Sequence, residues 1–133
     1  RSPLDHSSAA SDVYKRQCLY CVTDSTAAAG MPDGEYKLGS HTVTKCLGGV
    51  RLADGTLAGS TLTMDQALRN LVKIGLPISE ASQRLSQFPA DYLGLEERGR
   101  LQPGSFADCV RMDRSLTLTD VMVEGETIDF KNA

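Results

Sequence analysis

Short apolar runs separated by turn residues fill the first part of the chain. Residues 19–23 form an apolar run that ends at Asp24, a pattern typical of a buried strand. Small residues and a Pro-Asp-Gly turn at 32–34 follow. Two glycine-containing pairs, Gly39-Ser40 and Gly48-Gly49, then separate three β-like pieces at hairpin spacing. The pattern predicts a β-hairpin excursion over 35–52, with pieces at 35–38, 41–47 and 50–52.

After residue 63 the apolar residues recur at helical spacing. Thr63 is the predicted N-cap, and Gln66 lies three residues later, as in a capping box. Gly75 and Pro77 are the predicted stop. The apolar stripe of this helix consists of Met64, Ala67, Leu68, Leu71 and Val72.

Two shorter helices follow in the sequence. Ser79 can cap the first, with Ala81 and Leu85 on its inner side. Pro89 suits the first turn of the second, which ends at Gly94. The tail then returns to β-structure, with turn residues at 99–104, strands at 107–112, 116–123 and 128–130, and a turn at 124–125. The order predicts a mixed α/β fold.

Composition and charge exclude some classes of protein. A length of 133 residues suits about one domain. The net charge of −3 and pI near 5.3 disfavour nucleic-acid binding, which needs a basic surface. No apolar run approaches the roughly 18 residues of a membrane span, and no charged-then-apolar leader is present. We therefore expect a cytoplasmic protein with neither membrane nor nucleic-acid partners.

The four cysteines are widely spread in the sequence. Cys18 and Cys21 have the spacing of a zinc or redox pair, but they lie in an apolar run, with no histidine nearby to complete a ligand set. We expect buried free thiols. A zinc-ribbon arrangement, the alternative, requires Cys46 and Cys109 to approach the first pair.

Residues 1–17 have no hydrophobic period. The stretch at 7–17, SSAASDVYKRQ, resembles a read-through translation of a transposon-type sequencing adapter. We expect 1–17 to be a non-native, disordered scar that does not enter the fold. A disordered natural N-terminus is the alternative.

Two features are candidates for chemistry. Asp24 directly follows the apolar run, and in parallel α/β barrels the polar residues at strand carboxyl ends face the active site, which makes it a candidate base. A turn or cap aspartate is the alternative.

The loop at 54–60 has small residues that let a ligand approach the backbone, and it precedes a helix N-terminus that could favour an anion. It lacks the Gly-Lys-Ser/Thr ending of a P-loop. A plain connecting loop without a ligand is the alternative. His41, between Ser40 and Thr42, has no predicted catalytic role.

Three segments carry a family resemblance. Residues 22–30 (VTDSTAAAG) and 55–64 (GTLAGSTLTM) resemble the N-acetylglucosamine-6-phosphate deacetylase family, and the pattern over 99–108 is similar to the wider amidohydrolase superfamily. The resemblance implies the C-terminal part of a metal-dependent hydrolase (β/α)8 barrel at 18–106, including the excursion at 35–52. It also implies strands of a small β-sandwich domain at 107–133.

The resemblance implies hydrolysis of N-acetylglucosamine 6-phosphate to glucosamine 6-phosphate and acetate in amino sugar metabolism. Asp24 would be the general acid/base. Leu57, Ala58 and Gly59 would line the sugar site, chiefly through their backbone. A divalent metal, zinc or iron, would activate the water, and the full-length enzyme would form a homodimer.

The family's metal ligands are a glutamate and two histidines from earlier barrel strands. Outside residues 1–17, this sequence contains one histidine, His41, and it lies in the hairpin excursion. We therefore expect a C-terminal fragment that has no metal ligands and is inactive alone. Two alternatives remain: another amidohydrolase, such as a dihydroorotase- or adenine-deaminase-like enzyme, or a non-catalytic α/β interaction domain. The enzyme interpretation requires Asp24 to lie beside residues 57–59.

Overall fold

The computed structural model describes residues 19–129. The predicted scar at 1–17, Cys18 and the end of the last predicted strand lie outside these residues. The described residues divide into two compact units, one of them Val22–Gly75 and the other made of residues 19–21 together with 76–129. None of the helices in 19–129 is long and apolar enough to cross a membrane.

The Val22–Gly75 unit contains a four-stranded antiparallel sheet whose strands follow chain order. The strands are β1 (Gly34–Leu38), β2 (His41–Cys46), β3 (Gly49–Leu52) and β4 (Leu57–Ser60). The hairpin excursion is confirmed. The loop predicted at 54–60 was wrong for residues 57–60, because these form β4 and hydrogen-bond to β3, with a bulge after Val50.

The turn between β2 and β3 lies one residue earlier than predicted. Leu47 and Gly48 both have positive φ, 53° and 79°, and Gly49 already pairs with Cys46. Two consecutive positive φ values match a type I′ turn, whose twist suits a two-residue hairpin.

Alternation along these strands creates the unit's small core. Val43 and Val50 are 1% and 0% exposed, and Ala28 from the preceding loop packs with them. Ala58 of β4 is half-buried against the same cluster. The core thus fixes β4 on the sheet and directs the Ala58 side chain inward.

The predicted first strand at 19–23 was wrong. Its residues have no ladder partner among those described, and a single parallel bridge joins Ser25 to Ser60. Leu19 and Val22 are 49% and 68% exposed, not buried. An apolar run becomes a strand only when its backbone groups find neighbouring strands, and pattern alone does not supply them.

The predicted long helix is confirmed as α1 (Met64–Lys73), with Thr63 at the N-cap position and Ala67 buried. The capping box was wrong, because Thr63 makes no side-chain cap hydrogen bond. The Gln66 side chain instead bonds to Asn70 and Arg69 along the helix surface, which directs it away from the helix start.

The other unit contains α2 (Ile78–Leu85), α3 (Gln87–Tyr92) and a three-stranded antiparallel sheet. Its strands are β5 (Cys109–Met112), β6 (Leu118–Val123) and β7 (Glu126–Ile128), in chain order. Both helices and the strands were predicted, but shifted by one or two residues.

Local details correct two predictions and confirm a third. Ser79 does not cap α2, because the helix starts at Ile78 and Pro77 accepts the first hydrogen bond from Ala81. Pro89 does lie in the first turn of α3. Among the described residues the thiols are free as expected, but Cys21 and Cys109 are half-buried and Cys46, in the Val22–Gly75 unit, is exposed. The prediction of buried thiols was therefore wrong.

Arg84 of α2 is a buried charge that the sequence pattern did not predict. It is 5% exposed, and its guanidinium donates to Glu80 at 2.7 Å and to the Leu19 carbonyl oxygen at 3.0 Å. Its own carbonyl oxygen accepts the Cys21 N–H at 2.9 Å. Arg84 therefore fixes residues 19–21 on α2.

Candidate active site

Asp24 has an uncommon backbone conformation. Its φ is +50°, in the left-handed region that few residues other than glycine adopt, although aspartate tolerates it better than most. Such conformations persist when surrounding contacts hold them, and they cluster at functional sites. The exposed side chain of Asp24 is accessible to a ligand.

Hydrogen bonds fix the residues around Asp24 against the end of β4. The Ser60 N–H donates to the Asp24 carbonyl oxygen at 2.8 Å, and the Thr26 N–H donates to the Ser60 carbonyl oxygen at 3.0 Å. The Ser60 hydroxyl donates to the Thr23 carbonyl oxygen at 2.6 Å. Together with the parallel bridge between Ser25 and Ser60, these bonds pair the Asp24 turn with one strand residue.

Gly59 of β4 packs closely against Thr26 and Asp24. It is buried with φ +143°, and a Cβ placed on it would lie 2.7 Å from the Thr26 methyl carbon. The same Cβ would lie 3.1 Å from the Asp24 carbonyl oxygen and 3.8 Å from its Oδ2. Only glycine fits this position without movement of its neighbours.

The predicted sugar-site residues differ in their surroundings. Gly59 lies against Asp24, as described. Ala58 points its side chain into the core, so only its backbone is available to a ligand. Leu57 is 61% exposed. The structure thus brings Gly59 and Asp24 together and places Leu57 on an open surface.

Asp54, at the start of the same loop, has a local structural role. Its carboxylate accepts the Thr56 N–H at 2.9 Å. This hydrogen bond lowers the pKa of Asp54, which is fully exposed. Asp54 therefore stabilises the turn before β4 as an ionised turn residue.

A metal centre does not fit the described residues alone. Within 19–129, no group of three or more His, Cys, Asp or Glu side chains is arranged to hold a metal ion. His41 lies exposed on β2, opposite Leu38. A catalytic zinc usually takes three protein ligands with one open position, and that set is not available here.

Ser60 is the residue of this site that sequence reasoning missed. It lies inside the segment 55–64 that carries the resemblance, but no role followed from its position. Its bonds reach residues 34 and 37 positions away in sequence. The available signal was its place directly after the glycine that approaches Asp24.

Curated relatives identify the family. No family model matches the sequence. A putative N-acetylgalactosamine-6-phosphate deacetylase from Escherichia coli K12 is 39% identical over 117 residues, which cover 86% of this chain and 70% of the relative. The N-acetylglucosamine-6-phosphate deacetylase of Vibrio furnissii is 35% identical over 125 residues, covering 90% of this chain but 31% of the relative.

Solved structures of N-acetylglucosamine-6-phosphate deacetylases are similar to the structure of this chain. The N-acetylglucosamine-6-phosphate deacetylase of Thermotoga maritima matches with a TM-score of 0.81 and 41% identity over 90% of this chain and 33% of its own. An aspartate-to-alanine variant of the Mycobacterium smegmatis deacetylase, in complex with N-acetyl-D-glucosamine-6-phosphate, matches with a TM-score of 0.81 and 36% identity. This match covers 92% of this chain and 34% of the variant's own chain. The chain therefore spans about a third of the length of these enzymes.

The resemblance seen in segments 22–30 and 55–64 is thereby confirmed across most of the chain. The mixed sheet-and-helix structure agrees with these neighbours. The chain belongs to the N-acetylglucosamine-6-phosphate deacetylase family, hydrolases of the amidohydrolase superfamily.

Proposed function

We propose that this chain supplies the acid/base part of an active site that hydrolyses the acetamide of N-acetylglucosamine 6-phosphate. The products are glucosamine 6-phosphate and acetate. One observation carries the proposal: Asp24, exposed and in a left-handed conformation, lies directly against Gly59 of the family segment 55–64. Family membership supplies the substrate class.

Asp24 carries the proton in this proposal. Amide hydrolysis forms a C–O bond with water, breaks the C–N bond and moves one proton from water to the departing nitrogen. The Asp24 carboxylate accepts that proton and then delivers it to the amine. Because Gly59 has no side chain, β4 packs closely against Thr26 and Asp24. The exposed Asp24 carboxylate then lies next to the backbone of β4, which suits a ligand that contacts the backbone of Leu57, Ala58 and Gly59.

A divalent metal, zinc or iron, belongs to the complete enzyme in this proposal. When bound, it would lower the pKa of the attacking water. Residues 19–129 do not fit such a centre by themselves, so its ligands would have to lie outside them. For the same reason we expect the 133-residue chain to be inactive alone.

We also propose the finer architecture that the family implies. Residues 18–106 would form the C-terminal part of a (β/α)8 barrel, with β1–β3 as its excursion, and 107–133 would contribute β5–β7 to a small β-sandwich. The separate three-stranded sheet supports the second assignment. The enzyme would be a cytoplasmic homodimer.

A second substrate has specific support. Two Escherichia coli relatives, each 39% identical over 117 residues, are named as N-acetylgalactosamine-6-phosphate deacetylases. The two sugars differ at C4, away from the acetamide, so the same acid/base residue would serve both. The chemistry proposed for Asp24 is therefore independent of this choice.

A chimera tests the proposal. Residues 19–129 replace the matching third of the Thermotoga maritima enzyme, and acetate release is measured with both sugar phosphates and with unphosphorylated N-acetylglucosamine. We expect release from N-acetylglucosamine 6-phosphate and little from the unphosphorylated sugar. Faster release from N-acetylgalactosamine 6-phosphate would favour the second substrate. A folded chimera that releases no acetate from either phosphate contradicts the deacetylase proposal.

A further inference from the structure

We propose that Ser60 is a positioning residue that holds Asp24 in its left-handed conformation. The inference rests on the catalytic role proposed for Asp24. A residue with φ +50° keeps that conformation only if the peptide groups on both sides are fixed. Ser60 contacts both sides of Asp24 and the residue itself.

Three of the hydrogen bonds of Ser60 span the turn in sequence order. Its hydroxyl donates to Thr23 before the turn at 2.6 Å, its N–H donates to Asp24 at 2.8 Å, and its carbonyl oxygen accepts from Thr26 after the turn at 3.0 Å. The last two bonds use the backbone and would survive most substitutions. The bond to Thr23 needs a hydroxyl, so side-chain identity matters on the N-terminal side of Asp24.

The Ser60 hydroxyl both donates and accepts a hydrogen bond. Besides donating to Thr23, its oxygen accepts the Leu62 N–H at 3.0 Å. One half-buried oxygen thus connects the residue before Asp24 to the segment that leads into α1. Loss of this oxygen leaves a carbonyl and an amide without these partners, which weakens both sides of the contact.

Thr26 supports the same turn more weakly. Its hydroxyl lies 3.4 Å from the Ser60 carbonyl oxygen and 3.4 Å from the Ala28 nitrogen. Both distances exceed those of the Ser60 bonds, and short bonds are the stronger ones. Ser60 is therefore the residue to change.

NMR of the full 133-residue chain tests the proposal with Ser60→Ala, Ser60→Thr and a matched control. The control is Thr61→Val, which also removes a hydroxyl bond to a backbone carbonyl, but one to Gly48, at 3.1 Å, and not to the Asp24 turn. The readouts are the carbonyl carbon shift of Thr23, the α-carbon shift of Asp24 and the exchange rate of the Ser60 amide.

We expect Ser60→Ala to move the Thr23 and Asp24 shifts and to speed Ser60 amide exchange about tenfold, the effect of losing one hydrogen bond. Ser60→Thr should restore all three, and Thr61→Val should leave them unchanged. If Ser60→Ala does not fold, Ser60→Cys decides, because its weak donor should produce part of the same shifts.

The proposal is overturned if the Asp24 and Thr23 shifts are unchanged in folded Ser60→Ala, or in Ser60→Cys where only that variant folds. This holds even if stability falls, because a merely structural residue would lower stability without moving these shifts. None of these readouts requires catalysis. An inactive chimera would therefore refute the proposed function and leave the positioning result intact.

Discussion

The Cα of Gly59 lies against Asp24 so closely that a methyl group there would be 3.1 Å from the Asp24 carbonyl oxygen and 3.8 Å from its carboxylate. Together with the still shorter distance of 2.7 Å to the Thr26 methyl carbon, this contact makes glycine a requirement at position 59. It also means that substitutions at the two positions should interact.

Gly59→Ala should lower the free energy of unfolding by about 3 kcal/mol, because it combines a positive φ with a steric clash. Gly55→Ala is the matched control, since Gly55 has φ +85° but open space where the methyl would lie. The control should cost about 1 kcal/mol from conformation alone. Urea denaturation measures both, and equal losses would show that the close packing of Gly59 against Thr26 and Asp24 carries no energy.

Amide exchange should separate residues 19–22 from the sheet. In this segment the Cys21 N–H donates to the Arg84 carbonyl oxygen, and none of residues 19–22 lies in a strand ladder. We expect Leu19 and Val22 to exchange at least 100-fold faster than Val43 and Val50 in the core strands. Comparable protection of Val22 and Val43 would mean that the segment is in a stable strand.

The hairpins and helices were predictable because their signals are local. Glycine pairs at the turns and the 3.6-residue stripe after Thr63 specify structure within a few residues. The strand predicted at 19–23 and the missed strand Leu57–Ser60 were not predictable, because pairing decides both. In Leu57–Ser60 a glycine and small residues gave a loop-like pattern.

The candidate site was predictable only in part. Asp24 and Gly59 stood out through neighbouring small residues, but the contact between them joins distant parts of the chain. Ser60 and Arg84 were missed because their partners are 37 and 65 positions away in sequence. No local period reports such bonds.

Glu80→Gln should destabilise the fold by about 2 kcal/mol, because it removes the charge partner of a guanidinium whose side chain is 7% exposed. Asp91→Asn is the control, since the Asp91–Arg100 pair is more exposed, at 47% for the aspartate side chain. An exposed pair should contribute about 0.5 kcal/mol or less. Thermal denaturation compares the two, and a loss for Glu80→Gln no larger than the control's would rule out a structural role for this pair.

Stability should fall in acid partly through Asp65. The Thr63 hydroxyl, followed by Arg69, lowers the pKa of Asp65 below its usual value of 3.8. A carboxyl with a lowered folded-state pKa stabilises the fold above its unfolded-state pKa, and the contribution disappears as pH falls through the folded-state value. Thr63→Val should therefore lose less stability than wild type between pH 5 and pH 2. Urea denaturation at several pH values measures this difference, and Asp65→Asn is the control, since it removes the titrating group. Equal loss of stability in acid for Thr63→Val and wild type would contradict the prediction.

The most direct test of the account is the rate of acetate release by the chimera carrying Asp24→Asn. Asparagine keeps the size of the side chain and tolerates the left-handed conformation, so the unfolding free energy should change by about 0.5 kcal/mol or less. It cannot accept and return the proton, so kcat should fall by about 100- to 10,000-fold. A folded Asp24→Asn variant with a rate within a few-fold of the unsubstituted chimera would contradict the central claim that Asp24 carries the proton.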